Sequence, residues 1–215
     1  KELEYRGYDS AGIAVMCGEG GRDIHYFKAV GKLENLRNKT KDFTSSGFGV
    51  AIGHTRWATH GKPTELNAHP HLGEYSFVIH NGIIENYAEI KKELENDGVK
   101  FLSQTDTEVI VHLFEKINKK EKNAFKAFGE TVKKLKGSFA ILLITKVAPE
   151  CIFFAKNAVP LIIGKNSENE VIFSSSDAPL IGIAQNVTYL DDGVYGVAKM
   201  GEIEIFNNTK KITPN

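Results

Sequence analysis

Short apolar or β-branched runs occupy both ends of the chain, and three segments with helical spacing lie between them. Strands, then helices, then strands within one chain predict an α+β layered domain in which antiparallel sheets pack face to face. Glycines and clusters rich in Asn or Asp separate the runs, as in hairpin turns. The predicted strands span residues 11–17, 24–30, 48–56, 75–82, 138–145, 151–155, 161–164, 170–174, 187–190, 194–198 and 203–206. The predicted helices span residues 86–96, 105–117 and 123–135.

The composition indicates one globular domain and excludes several classes of partner. The 215 residues contain no repeat and no linker rich in Pro, Gly and Ser. Lysine plus arginine total 27, as do aspartate plus glutamate, so no net field favours nucleic acid or an anionic membrane. The longest apolar runs are strand-sized, which predicts no membrane span. Because two cysteines, Cys17 and Cys151, make no disulfide framework, we expect a cytoplasmic protein.

The segment 54–61 concentrates chemically active side chains at the end of a predicted strand. Arg56, Trp57, Thr59 and His60 lie within five positions there. A guanidinium is suited to a planar, bidentate grip on a carboxylate, which favours a binding site for a carboxylate ligand. The alternative is an edge strand with a surface ion pair and a packing tryptophan.

Histidines cluster in the same region, since five of the seven lie between His54 and His80. Such a cluster suggests a metal-dependent hydrolase. However, the sequence has neither a Cys-x-x-Cys pair nor a His-Glu-x-x-His motif, and nearby acidic residues are not at ligand intervals. We therefore predict no metal ion.

Two further motifs each have a catalytic and a purely structural interpretation. The Asn81 amide and the Gly82 backbone N–H, at the end of an apolar strand, can point at one developing oxyanion. The alternative is an ordinary Asn-Gly hairpin turn. Before the second helix, Thr105 and Glu108 match a capping box, and Asp106 is either a binding carboxylate or a partner of the helix dipole.

The order of five motifs resembles the glutaminase domains of the glucosamine-6-phosphate synthase family, which are glutamine amidotransferases of the N-terminal-nucleophile class. The resemblance extends from residue 1 to about Ala198. The related phosphoribosyl pyrophosphate amidotransferases typically read His-Arg-Gly-Gln-Asp at residues 5–9 and lack Trp57, so both differences favour the synthases. The motifs are LEYRGYDSAG at 3–12, HTRWATHG at 54–61, NAHPH at 67–71, HNGIIEN at 80–86 and TDTE at 105–108.

This resemblance implies a role for each matching residue. Arg56 would grip the α-carboxylate of glutamine, and Asp106 would receive its α-ammonium group. Asn81 and Gly82 would form the oxyanion hole. A loop that closes over the substrate would contain Trp57, Thr59 and His60. Arg6 and Tyr8 would support the site.

The resemblance also implies a four-layer αββα sandwich of the N-terminal-nucleophile hydrolase type. Its first strand, with the nucleophilic N-terminal cysteine at its head, would precede residue 1. Neither Cys17 nor Cys151 lies in a matching motif, so we expect the printed residues alone to be inactive in hydrolysis. The glutaminase domain would span residues 1–207, and residues 208–215 would begin the connector to a sugar-phosphate isomerase half.

The expected activity is glutamine hydrolysis through a γ-glutamyl thioester, without a cofactor. The ammonia would convert fructose 6-phosphate to glucosamine 6-phosphate in hexosamine and cell-wall amino sugar synthesis. The expected partners are L-glutamine, the isomerase domain of the same chain and a second copy in a homodimer. A phosphoribosyl pyrophosphate amidotransferase and a non-catalytic glutamine-binding module are the alternatives.

Overall fold

A computed structural model describes residues 3, 7–21, 23–47, 49–57, 61–208 and 210–213. In the N-terminal half the strands are β1 (Ser10–Cys17), β2 (Asp23–Val30), β3 (Val50–Arg56), β4 (His71–Leu72) and β5 (Ser76–Ile84). The later strands are β6 (Gly137–Thr145), β7 (Ala148–Asn157), β8 (Ile162–Lys165), β9 (Val171–Ser174), β10 (Asn186–Tyr189), β11 (Val194–Lys199), β12 (Glu202–Asn207) and β13 (Lys210–Ile212). The helices are α1 (Leu33–Thr40), α2 (Tyr87–Asn96), α3 (Glu108–Glu121) and α4 (Ala124–Lys134).

The described strands form three antiparallel sheets. The large sheet has the order β13-β12-β11-β7-β6-β5-β4, and the two small sheets have the orders β2-β1-β3 and β10-β8-β9. Strand β5 lies beside β6 along its whole length, from Ser76 opposite Thr145 to Ile84 opposite Gly137. This long pairing fixes the position of the Asn81–Gly82 motif within the large sheet.

One face of the large sheet packs against the two small sheets. Phe77 and Ile79 of β5 join Met16 and Ile52 of the first small sheet in one buried cluster. Farther along, β7 packs against the second small sheet, where the rings of Phe154 and Phe173 are in contact with their centroids 5.0 Å apart. Phe77, Ile79 and Phe154 lie on the same face of the large sheet, because side chains along a strand alternate between the two faces.

The opposite face of the large sheet packs against α2, α3 and α4. Val78 and Ile141 of the sheet share the largest buried cluster with Leu94, Phe114 and Phe128 of the three helices. On the outer side of the first small sheet, α1 packs through Leu36. The four layers are therefore helix α1, the two small sheets, the large sheet, and helices α2, α3 and α4. This order confirms the predicted α+β, four-layer αββα architecture. None of the described helices is long and apolar enough to cross a membrane.

Helix α3 begins at Glu108, so the predicted start at residue 105 and the predicted capping box are wrong. The Glu108 carboxylate accepts hydrogen bonds from the backbone N–H groups of Leu102 and Ser103 and from the Ser103 hydroxyl. Burial alone would raise its pKa, but these bonds and one from His112 lower the pKa of Glu108 to about 2. Glu108 thus anchors the loop before the helix instead of capping the helix.

Helix α1 and the short strands β4 and β13 are absent from the sequence prediction. Only Leu36 of α1 is buried, so the segment has little of the apolar periodicity that identifies a helix. Residues 210–212, expected within a connector, pair with β12 as an edge strand of the large sheet. The boundary between the domain and its connector stays a prediction.

Candidate active site

The predicted binding and oxyanion residues that the structure describes line one cavity of about 830 Å³ between the first small sheet and the large sheet. Strand β3 brings Arg56, strand β5 brings Asn81 and Gly82, and the loop before α3 brings Asp106. Apolar side chains cover other parts of the wall, among them Leu142, Leu161 and Phe173. A cationic, an acidic and an amide group in a partly apolar cleft are typical of a site for a small polar ligand.

Arg56 is the last residue of β3 and only 5% exposed. Its Nη2 donates a hydrogen bond to the carbonyl oxygen of Gly61 at 3.3 Å. Burial lowers the pKa of Arg56, while the carboxylates of Asp9 and Asp106 act in the opposite direction. A guanidinium remains charged in proteins, so the cavity contains a fixed cation under the influence of two acidic groups.

Asp106 lies two residues before α3 and is partly exposed to the cavity. Its Oδ2 accepts a hydrogen bond of 2.7 Å from the backbone N–H of Ile84 on β5. This bond holds one carboxylate oxygen against the large sheet. The residue is therefore not simply a first-turn partner of the helix dipole, because it belongs to the cavity wall and is attached to a strand.

Asn81 and Gly82 lie inside β5, opposite Ala140 and Phe139 of β6, so the alternative of a hairpin turn is wrong. Gly82 has a φ of +128°, and a Cβ at this position would lie 2.0 Å from the carbonyl oxygen of Ser138. Only glycine fits there. A glycine in a strand interior permits close approach of another backbone, which here is that of Ser138 on β6.

Trp57 follows β3 and lines the cavity while remaining 57% exposed, which does not favour the alternative of a packing tryptophan. Its ring lies 5.6 Å from that of Tyr8, which is 53% exposed. These two aromatic side chains form an exposed rim next to Arg56. The other residues predicted for the loop and its support, Thr59, His60 and Arg6, lie outside the described residues.

Four of the clustered histidines form a packed group in the cavity wall, where His54, His69 and His80 are lining residues. The His54 and His69 rings stack with centroids 4.2 Å apart, and the His71 ring meets His69 edge-on at 4.8 Å. Burial lowers the pKa of His54 and of His71 to about 3, that of His69 well below its usual value, and that of His80 in the same direction. Within the described ranges, no group of three or more His, Cys, Asp or Glu side chains has an arrangement that could hold a metal ion.

Some residues that shape the site were missed in the sequence. Ile84 acts through its backbone, and Ser138 only limits the space beside Gly82. Asn67 begins the third motif and is 2% exposed, with its side chain fully engaged in hydrogen bonds. Asn67 is distinguished by its burial within a loop, and no pattern in the sequence predicts that burial.

Residues 54–182 match the family model described as the glutamine amidotransferase domain, and the chain belongs to this family. Over 208 residues it is 64% identical to the glutamine–fructose-6-phosphate aminotransferase [isomerizing] of Campylobacter jejuni, covering 97% of this chain and 34% of that protein. The enzyme of the same name from Helicobacter pylori is 50% identical over 212 residues, covering 99% of this chain and 35% of that protein. The chain therefore spans about a third of the length of these curated relatives.

The glutamine phosphoribosylpyrophosphate amidotransferase from B. subtilis, solved with ADP and GMP, has a similar structure. The TM-score is 0.80 at 24% identity, over 96% of this chain and 44% of that one. At this identity the likeness concerns the fold alone. The predicted family and its N-terminal-nucleophile amidotransferase fold are thus confirmed, and the much higher identities favour the fructose-6-phosphate enzymes over the phosphoribosyl pyrophosphate alternative.

Proposed function

We propose that this domain binds L-glutamine and hydrolyses its side-chain amide to supply ammonia. The observation that carries the proposal is that Arg56 and Asp106 line the same cavity as Asn81 and Gly82. By analogy with the named relatives, the ammonia converts fructose 6-phosphate to glucosamine 6-phosphate in hexosamine synthesis. The protein is then a glutamine-dependent aminotransferase, and this domain is its glutaminase part.

A free amino acid carries one anionic and one cationic group on the same carbon atom. We assign the α-carboxylate to the Arg56 guanidinium, which offers two parallel N–H donors, and the α-ammonium to the Asp106 carboxylate. Capture of both charges excludes a glutamine residue within a peptide, because its α groups are uncharged amides. Trp57, Thr59 and His60 belong to the loop that covers the bound substrate and limits the access of water. Arg6 and Tyr8 support the site.

The Asn81 amide and the Gly82 N–H serve as the oxyanion hole. A cysteine thiolate attacks the carbonyl carbon of the substrate's side-chain amide, and the two donors stabilise the oxyanion that forms. The thiol proton passes through the cysteine's α-amino group to the departing nitrogen, which leaves as ammonia. Water then cleaves the γ-glutamyl thioester, which regenerates the thiol and releases glutamate. As the family resemblance implies, we place this cysteine at the N-terminus of the mature native protein, ahead of the printed sequence.

The remaining parts of the proposal concern the whole protein. Residues 1–207 form the glutaminase domain, and residues 208–215, of which 210–212 still pair with the large sheet, begin the connector to a sugar-phosphate isomerase domain. The enzyme works in the cytoplasm as a homodimer and needs no cofactor for hydrolysis. Size measurement of the full-length protein tests the dimer.

The test uses the full-length native protein and measures glutamate released from L-glutamine. We expect turnover, and glucosamine 6-phosphate when fructose 6-phosphate is added. Replacement of the N-terminal cysteine by alanine abolishes hydrolysis. N-acetyl-glutamine, which lacks the α-ammonium, is a poor substrate. Binding of glutamine without turnover by the native protein refutes the proposal and favours a binding module, and equal hydrolysis of N-acetyl-glutamine refutes the assignment of Asp106.

A further inference from the structure

Asn67 is a buried side chain that connects the segment after Arg56 with the loop before Asp106. It is 2% exposed and follows the segment that leads away from Arg56. Its Oδ1 accepts one hydrogen bond, and its Nδ2 donates two. Both amide protons are therefore in use. A buried amide with this degree of engagement defines the positions of its partners.

The first partner belongs to the arginine side of the site. Asn67 Nδ2 donates to the carbonyl oxygen of Lys62 at 2.9 Å. The preceding Gly61 accepts from Arg56 Nη2, and a Cβ at Gly61 would lie 2.8 Å from Asn67 Nδ2. Gly61 also has a φ of +77°, which favours glycine. The Asn67 amide thus supports the backbone that contacts the guanidinium.

The second partner belongs to the aspartate side of the site. The backbone N–H of Gln104 donates to Asn67 Oδ1 at 2.9 Å, and Gln104 Oε1 accepts from Asn67 Nδ2 at 3.3 Å. Gln104 lies two residues before Asp106. A parallel contact joins Thr105 Oγ1 and His71 Nε2 at 3.0 Å. The segment 67–71 therefore holds the short loop that presents Asp106.

We propose that Asn67 is a positioning residue, which sets the distance between the guanidinium of Arg56 and the carboxylate of Asp106 by bridging Lys62 and Gln104. The inference rests on the proposed binding of glutamine. Asn67 is not among the residues that line the cavity, and β5 holds the oxyanion donors through its pairing with β6. It consequently acts on recognition of the α-amino acid group and not on the bond-breaking step.

Removal of the bridge by Asn67→Ala separates these two effects. Misplacement of a binding group by about 1 Å costs up to a hundredfold, so we expect the KM for L-glutamine to rise roughly tenfold or more. The kcat should stay within about threefold, as for loss of an interaction made equally in the ground and transition states. Inhibition by the product L-glutamate, which has the same α groups, should weaken by the same factor as the KM rises.

A matched control separates positioning from general loss of stability. Asn123→Ala removes the hydrogen bond that the Asn123 side chain accepts from the Lys126 N–H at the start of α4, away from the cavity. It should leave both kinetic constants unchanged. Hydrogen exchange gives a readout that does not depend on catalysis, because loss of Asn67 Oδ1 should speed exchange at the Gln104 amide. If Asn67→Ala does not fold, Asn67→Ser takes its place with the same expected results.

The wild-type full-length protein in the same assay distinguishes failure of this inference from failure of the proposed function. No glutamate from the wild type would refute the function itself. Wild-type turnover with an unchanged KM in the Asn67 variant would refute the positioning role alone, as would a fall in kcat with the KM preserved. An unchanged exchange rate at Gln104 would refute the bridge whatever the substrate is.

Discussion

The carboxylate of Asp106 accepts a hydrogen bond of 2.7 Å from the backbone N–H of Ile84. Ile84 is two residues beyond Gly82 on strand β5. One strand therefore carries the proposed oxyanion donors and also orients the carboxylate proposed to bind the ammonium group. Because β5 pairs with β6 over nine residues, the large sheet fixes the distance between the proposed oxyanion donors and the Asp106 carboxylate.

The charge of Asp106 should be essential for substrate binding. Asp106→Asn keeps an oxygen that can accept from Ile84 but removes the negative charge. Loss of one partner of a largely desolvated charge pair costs roughly 3–5 kcal/mol, so kcat/KM for glutamine should fall by about a hundredfold to several thousandfold, mainly through the KM. Steady-state glutamate release by the full-length protein measures this. The exposed Asp97, which pairs with Lys116, gives the control Asp97→Asn, and an unchanged KM in Asp106→Asn would contradict the prediction.

The Asn81 side chain should act in the transition state and not in binding. Asn81→Ala removes one proposed oxyanion donor from a half-buried strand position. We expect kcat to fall by about a hundredfold to a thousandfold with little change in the KM. The same assay measures both constants. Asn166→Ala in the exposed turn after β8 is the control, and a KM effect larger than the kcat effect would contradict the oxyanion role.

Periodicity identified those elements whose burial is regular. Strands β1, β5 and β6 and helices α2 and α4 carry apolar residues at the spacing that their packing requires, so their approximate limits were predicted correctly. The resemblance located the candidate site residues. It gave no geometry, however. That Arg56 and Asp106 share a cavity is a structural observation.

Contacts between distant segments explain what the sequence could not predict. The capping box failed because Glu108 bonds to the preceding loop through backbone groups at residues 102 and 103. Asn67 and Gln104 are 37 residues apart, so no local pattern predicts their contact. The clustered histidines pack on one another, a use that residue type and spacing do not distinguish from metal binding.

The buried histidines should make the fold sensitive to mild acid. Burial lowers the pKa of His54 and His71 from 6.5 to about 3, so below pH 6.5 the unfolded chain binds protons that the folded chain does not. Their stabilising contribution is complete above pH 6.5 and is lost as the pH falls toward 3. Each group contributes a slope that approaches about 1.4 kcal/mol per pH unit well below pH 6.5 and amounts to about 1 kcal/mol between pH 6.5 and 5.5. Urea unfolding at pH 7.5, 6.5 and 5.5 measures this. His54→Asn should reduce the pH dependence of the free energy of unfolding by the contribution of one histidine. Equal stability at the three pH values would contradict the prediction.

Glu115 of α3 should be a stability residue of the large sheet's edge. It is 4% exposed, and its carboxylate oxygens accept from the backbone N–H groups of Glu74 and Tyr75 at 2.8 and 2.9 Å. Glu115→Ala leaves two N–H groups without their acceptors, so the free energy of unfolding should fall by about 2–4 kcal/mol. Glu121→Ala removes only a surface ion pair with Lys126 and should change it by less than about 0.5 kcal/mol. Urea unfolding at pH 7.5 compares the two variants. Equal losses would mean that the hydrogen bonds to the Glu74–Tyr75 turn contribute no more than an exposed ion pair.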